Sequence, residues 1–235
     1  MSESETKDSV RFFSYPGNFF IASIYENANV KFEKGKISIS KSKNKKTLAH
    51  FYYKKSLPVV VDYTNFFNEI TIYFKPLGIL HFLRDIEFDF QKINSTVGIP
   101  FRDYLTEMNK ILPIKDRNLQ IEALENYWLS LIYEKDIKHL EKILEYVEEN
   151  TKISEIAREL NVSRQYIHKV FLKYIGKSPT DYRKIQRFRN LILNHTTDKK
   201  LTSLSLNAMY YDQAHFNKQF KEITNLSPRS FFCKY

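Results

Sequence analysis

Two segments near the end of the chain repeat one helical pattern, and this repeat restricts the fold more than any other feature. Residues 153–173, which begin ISEIARELNVS, align without a gap with residues 201–221, which begin LTSLSLNAMYY, at a separation of 48 positions. Each segment predicts a short amphipathic helix, a tight turn and a second helix. Two helices with so short a connection predict a helix-turn-helix unit.

Single residues support the turn in the first unit. Asn161 tolerates a positive φ, and Ser163 is a suitable N-cap for the second helix. Ala157 is small enough for the two helices to cross closely, and Ser205 and Met209 take the places of Ala157 and Asn161 in the second unit. The second helices are expected to bury Ile167, Val170, Phe171, Phe216 and Phe220 and to face Arg164, Gln165, His168, Lys169, Asp212, Gln213, Ala214, Asn217 and Lys218 outward.

A helix is predicted between the two units, from Pro179 to Asn194, because Ser178 is a suitable N-cap and apolar residues recur at helical spacing. Such a helix would be about 24 Å long. A rod of this length can hold two recognition helices about 34 Å apart, which is one turn of DNA.

The excess positive charge of the chain lies in the same region. Residues 152–235 contain 16 Lys and Arg against 6 Asp and Glu, whereas residues 1–151 contain 21 of each sign. The net charge of +10 therefore falls within the last third of the chain. Such a concentration favours a polyphosphate partner, because neutralised phosphates release counterions; the alternative is a basic surface without a specific partner.

The outward residues suit the readout of double-stranded DNA. Gln165 and Gln213 can pair with adenine, and Arg164 can bind guanine or a phosphate. His168 and Asn217 are short polar groups that can reach base edges, and Lys169 and Lys218 suit phosphates. Asp212 and Ala214 complete the outward face. The alternative for each of these residues is an ordinary exposed side chain.

The segments ISEIARELNVSRQYIHKVFLKYIGKSPTDYRKIQRFRNLI and LTSLSLNAMYYDQAHFNKQFKEITNLSPRSF resemble the DNA-binding domain of the bacterial AraC/XylS-type transcription regulators. The resemblance covers about 100 residues. It implies a seven-helix domain with two helix-turn-helix units and base contacts from the outward residues named above. Met209 departs from the family, which usually has glycine there, and a methionine with positive φ would cost about 1–2 kcal/mol.

The sequence of the N-terminal half predicts a different architecture. Strands are expected at residues 19–25, 36–40, 47–53, 59–61 and 69–74, and helices from Pro100 to about Leu112 and from Arg117 to Tyr133. The expected fold class is α+β: a β-rich, small barrel or cupin-like domain with trailing helices, followed by an all-α domain. We expect a sensor or dimerisation domain at residues 1–115, a connecting helix at 116–135 and the DNA-binding domain at 136–235.

Several classes of function are disfavoured by residues that the sequence lacks. Cys233 is the only cysteine, so thiolate metal sites are excluded, and we find no phosphate loop or paired nucleophile and base. We therefore expect no enzyme activity, metal or cofactor, and a cytoplasmic location without a membrane span. RNA polymerase, a small-molecule or protein effector at the N-terminal domain, and a second copy of the chain remain open as partners. The alternative functions are a nonspecific architectural DNA-binding protein and a DNA-repair enzyme with a cysteine methyl acceptor, which would need an activated thiolate.

Overall fold

The N-terminal half folds into two β-sheets. The computed structural model describes residues 9–44, 47–52, 57–65, 68–83, 89, 101–194 and 213–233. A four-stranded sheet has the order β1-β6-β4-β3, and a three-stranded sheet has the order β5-β2-β7. The strands are β1 (Ser9–Ser14), β2 (Phe20–Glu26), β3 (Ala28–Glu33), β4 (Lys36–Lys41), β5 (Thr47–Tyr52), β6 (Val59–Thr64) and β7 (Glu69–Phe74).

The five strands predicted from the sequence are all present, and two further strands join them. β1 and β3 are the outer strands of the four-stranded sheet, and most of their side chains are exposed. Because a strand at the edge of a sheet buries little of its surface, its sequence need not alternate between apolar and polar residues. Every strand pair is antiparallel except β4 and β6, which are parallel.

The two faces of the three-stranded sheet have different roles. Alternate residues of β2, among them Phe20, Ala22 and Ile24, are fully buried against the helices that follow the sheets. The opposite residues, including Ile21 and Ser23, line a cavity to which all seven strands contribute side chains. The sheet therefore separates a packed core from an open interior.

The helical part begins after β7. A short 3-10 helix covers Gly78–Phe82. The α-helices are α1 (Tyr104–Ile111), α2 (Arg117–Leu131), α3 (Lys138–Glu148), α4 (Ile153–Glu159), α5 (Arg164–Ile175), α6 (Pro179–Leu193), α7 (Gln213–Thr224) and α8 (Pro228–Phe232). None of these described helices is both long and apolar enough to cross a membrane.

Two apolar clusters organise the helices. The larger cluster is continuous from the three-stranded sheet, through the aromatic group around Phe74, Phe101 and Trp128, to Phe171 and Tyr182. The smaller cluster joins Phe188 to the last two helices and includes Tyr15 of the N-terminal half at its edge. α6 contributes Tyr182 to the first cluster and Phe188 to the second, so it connects them.

Candidate nucleic-acid interface

The first helix-turn-helix unit consists of α4, a four-residue turn and α5. Asn161 in the turn has a φ of 51°, so the left-handed conformation predicted for this residue is present. The backbone amide of Val162 donates to the Ala157 carbonyl oxygen at 2.9 Å and closes the turn. Ser163 is the N-cap of α5, because its Oγ accepts from the Tyr166 backbone amide at 3.0 Å. The turn thus sets the direction of α5 through local bonds.

The two sides of α5 differ in burial as the sequence predicts. Ile167, Val170 and Phe171 are buried, and Gly176 ends the helix with a φ of 75°. The predicted outward residues of this unit, Arg164, Gln165, His168 and Lys169, are all exposed. They lie within the first two turns of the helix, which is the part that enters the major groove in helix-turn-helix proteins.

The second unit is described from α7 onward. Phe216 and Phe220 are buried, whereas Gln213, Ala214, Asn217 and Lys218 are exposed. The predicted first helix of this unit, its turn residue Met209 and the outward residue Asp212 lie outside the described residues.

The structure corrects the alignment of the two recognition helices. α5 and α7 each contain 12 residues, but they begin at 164 and 213, which is a separation of 49 rather than 48. The buried pairs Ile167 with Phe216 and Phe171 with Phe220 have the same separation of 49. The gap-free alignment was therefore wrong in this part, although the residues predicted to be buried already had a separation of 49.

The corrected separation changes the equivalent positions. Gln213 corresponds to Arg164 and not to Gln165, whereas Lys218 corresponds to Lys169 and Asn217 to His168. By the same count Asp212 corresponds to the N-cap Ser163. The helix ends also match, because Asn225 has a φ of 59° where the first unit has Gly176.

α6 makes polar contacts both with the elements before it in the chain and with α7 after it. Near its start, Arg183 donates to the Val147 carbonyl oxygen at 2.8 Å and to the Thr151 carbonyl oxygen at 2.5 Å. These acceptors lie at the end of α3 and in the connection to α4. Further along, the Lys184 ammonium lies 3.0 Å from the Glu222 carboxylate, and Arg187 donates to Gln219 at 3.2 Å. Both of these partners are on α7.

Three exposed residues that the sequence analysis did not single out lie on or beside the two recognition helices. Tyr166 is 39% exposed in the first turn of α5, and its ring lies 5.8 Å from that of His139. Lys221 and Arg229 line a groove of about 470 Å³ beside α7, together with Lys218 and Asn217. Three cations around one groove suit a phosphate backbone, but the pattern depends on how α8 folds back onto α7 and is not visible along the sequence.

The structure also describes two other features considered in the sequence analysis, the cysteine and possible metal ligands. Cys233 is an exposed free cysteine at the end of α8. Among the described residues, no three His, Cys, Asp or Glu side chains are grouped so that they could hold a metal ion.

The exposed polar face of α5, its capped turn and the matching α7 define a helix-turn-helix DNA-binding domain. Residues 156–233 match the family model of a helix-turn-helix domain. This segment is such a domain of the AraC type, and the family predicted from the sequence is confirmed for it. The chain therefore contains a DNA-binding domain of the kind found in transcription regulators. A comparison with curated proteins found no match.

Among solved structures, the chain is similar to ToxT from Vibrio cholerae. A 1.65 Å structure of ToxT has 10% sequence identity and a TM-score of 0.43, and the alignment covers 97% of this chain and 98% of that chain. A structure of ToxT bound to (E)-4-(8-methylnaphthalen-1-yl)but-3-enoic acid has 11% identity and a TM-score of 0.45, with coverage of 97% and 99%. Likeness of this degree does not establish a shared ligand.

Replacing Lys218 with alanine is expected to weaken DNA binding equally on all sequences. If Lys218 neutralises one phosphate, its loss makes the negative slope of log affinity against log salt concentration shallower by about 1. Fluorescence anisotropy titrations at several salt concentrations measure this slope. Lys110→Ala is the control, because Lys110 pairs with Glu107 on α1 at 2.6 Å. A slope that is the same for Lys218→Ala and the unmodified chain would contradict the phosphate contact.

Proposed function

We propose that the chain is a sequence-specific transcription regulator that reads two adjacent major-groove segments with α5 and α7. Residues 136–235 would bind DNA, residues 1–115 would sense a signal and residues 116–135 would connect the two. The observation that carries the proposal is that two equal helices, each with an exposed polar face, are attached to one spacer helix. α6 has 15 residues and is thus about 22 Å long.

The corrected alignment assigns the base contacts unit by unit. In the first unit, Gln165 would pair with adenine and Arg164 would bind guanine, with His168 beside them. In the second unit, Gln213 takes the place of Arg164, and Asn217 takes that of His168. Lys169 and Lys218 would bind phosphates at equivalent places. Because the two faces differ in residue type, the two halves of the DNA site should differ in sequence.

The spacing of the two halves tests the proposal. Selection from random duplexes should give a bipartite site, to which one chain binds. Insertion of five base pairs between the halves turns one of them to the opposite side of the DNA, and we expect the affinity to fall to that of a single half-site. Insertion of ten base pairs is a control for the added length, because it returns the two half-sites to the same side of the DNA but leaves them farther apart. Equal affinity for the selected and the five-base-pair duplex would contradict reading by a rigid pair of helices.

We further propose that a small-molecule effector acts through the cavity between the two sheets. The cavity has a volume of about 520 Å³, which is within the usual range for small-molecule sites. Two of its lining residues, Tyr15 and Phe19, also contact the DNA-binding part. The Tyr15 ring lies 5.8 Å from that of Phe188 on α6 and 5.3 Å from that of Phe231 on α8. A ligand that moves Tyr15 and Phe19 would therefore also act on α6, the spacer helix.

Arg189 is the main polar link across this contact. Its guanidinium donates to the carbonyl oxygens of Tyr15 and Pro16, each at 2.9 Å, and lies 5.2 Å from the centre of the Phe19 ring. Asn18 adds a further bond from its Nδ2 to the Tyr182 carbonyl oxygen at 2.9 Å. Gly17 leaves room for the Phe19 ring in this position, because a Cβ there would lie 2.3 Å from it.

The substitution Arg189→Ala tests this link. Each hydrogen bond from a charged donor contributes about 1.5–3 kcal/mol, so we expect backbone amide exchange in residues 14–20 to accelerate by tenfold or more. Hydrogen exchange followed by mass spectrometry measures this change. Lys184→Ala is the matched control, because Lys184 is on the same helix but pairs with Glu222. Unchanged exchange in residues 14–20 would show that Arg189 does not hold the two parts together.

A further inference from the structure

The chemistry of the cavity between the sheets indicates which ligand it can bind, an inference that rests on the effector site of the proposed function. The cavity is rich in aromatic rings: Phe12, Tyr15, Phe19, Tyr25, Phe32, Tyr52, Tyr63 and Tyr73 line it. Several of these rings pack in pairs, with Phe12 stacked on Tyr63 at 5.9 Å and Phe19 edge-on to Tyr73 at 5.1 Å. Tyr73 is 61% exposed, so its part of the lining is open to solvent.

Two carboxylates line the cavity: Glu33 is exposed at the end of β3, and Glu69 lies near the tyrosines of β6 and β7. Glu69 is half-buried and lines the cavity. It accepts from Thr71 Oγ1 at 2.7 Å, and the Tyr63 hydroxyl also donates to it. Both contacts are with neutral groups, which hold the carboxylate in place without supplying a counterion.

The cations near the cavity are already engaged. Lys36 lines the cavity, but its Nζ lies 2.8 Å from the Asp62 carboxylate. Arg11 also bonds to Asp62, and the two cations lower the pKa of that carboxyl to about 2. Within the described ranges, no lysine, arginine or histidine pairs with Glu69. The negative charge of Glu69 is thus available to a ligand.

Two hydroxyl groups beside Glu69, those of Ser23 and Thr71, are engaged with each other. Ser23 Oγ and Thr71 Oγ1 are 2.7 Å apart, and Thr71 in turn donates to Glu69. Burial raises the pKa of Tyr25 to about 12, and the nearby Glu69 carboxylate adds to this effect, so the phenol stays neutral. A polyhydroxylated ligand that bound to Ser23 or Thr71 would have to compete with these bonds, whereas a cation would need only ring faces and the carboxylate.

We propose that this cavity binds an organic cation, an amine or a quaternary ammonium compound with an apolar body. The positive group would lie against Glu69 and the faces of the surrounding tyrosines, where the ring quadrupoles attract it. The apolar body would occupy the part of the cavity lined by Ile37, Ile39 and Val61. A partly buried carboxylate is stabilised by a paired charge, so a cationic ligand would supply the counterion that the described residues do not.

Isothermal titration calorimetry of the full chain, in the absence of DNA, tests the proposal. The probes are benzyltrimethylammonium, benzyl alcohol as the neutral analogue, phenylacetate as the anion and glucose as the polyol. We expect benzyltrimethylammonium to bind about tenfold or more tightly than each of the other three. Equal or tighter binding of the alcohol, the anion or the sugar would overturn the proposal.

Two substitutions locate the bound cation. Glu69→Gln should weaken binding of benzyltrimethylammonium about tenfold or more, whereas Glu26→Gln should leave it unchanged, since Glu26 bonds to Asn68 outside the cavity. If Glu69→Gln does not fold, Tyr73→Ala should weaken binding of the same probe through loss of one exposed ring. Unchanged affinity in the folded variant would overturn the proposal. A chain that binds its selected DNA but not the cation would refute this inference alone.

Discussion

Replacing Phe220 with alanine is expected to lower the free energy of unfolding by about 3–5 kcal/mol and to remove DNA binding by the second unit. Phe220 is 0% exposed, and its ring contacts those of Phe188, Phe216 and Phe231 at 5.6, 5.6 and 5.2 Å. These rings join α7 to α6 and α8. Without Phe220, the second recognition helix loses the packing that fixes it to the spacer.

Urea unfolding followed by circular dichroism measures the effect of this change. Leu193→Ala is the control, because Leu193 is 81% exposed and its truncation should change stability by no more than about 0.5 kcal/mol. If Phe220→Ala unfolded at the same urea concentration as Leu193→Ala, the smaller apolar cluster would not contribute to the stability of the domain, and the prediction would be wrong.

Replacing Gln165 with alanine is expected to weaken binding to the selected site by about 1–3 kcal/mol and to relax the choice of one base pair. Gln165 is exposed in the first turn of α5, where its amide can donate to and accept from adenine. Binding to unrelated duplexes should not change, because those contacts are made with phosphates.

Titrations on the selected site and on its single-base variants measure the loss. Asn190→Ala is a matched control, since it removes an exposed amide from α6 rather than from α5. An equal loss on every duplex would show that Gln165 contacts the backbone and does not read a base.

Features set by local chemistry were predicted well from the sequence. The turn at Asn161, the caps at Ser163 and Ser178 and the bounds of α6 each depend on residues a few positions apart. The strand at residues 69–74 was likewise identified, because it carries β-branched and aromatic residues between turn formers.

Features set by long-range contacts were not predicted. The division of seven strands into two sheets, with β4 parallel to β6, depends on pairing between distant segments. The link from Arg189 to Tyr15 joins residues 174 positions apart, and no periodicity in the sequence reports it.

The central claim is that the chain recognises DNA by sequence through two helices. The most direct test is a titration of the full chain with the selected duplex and with a shuffled duplex of the same length at near-physiological salt. We expect the selected duplex to bind about a thousandfold or more tightly. Equal affinity for the two duplexes would contradict the account and indicate a nonspecific architectural protein.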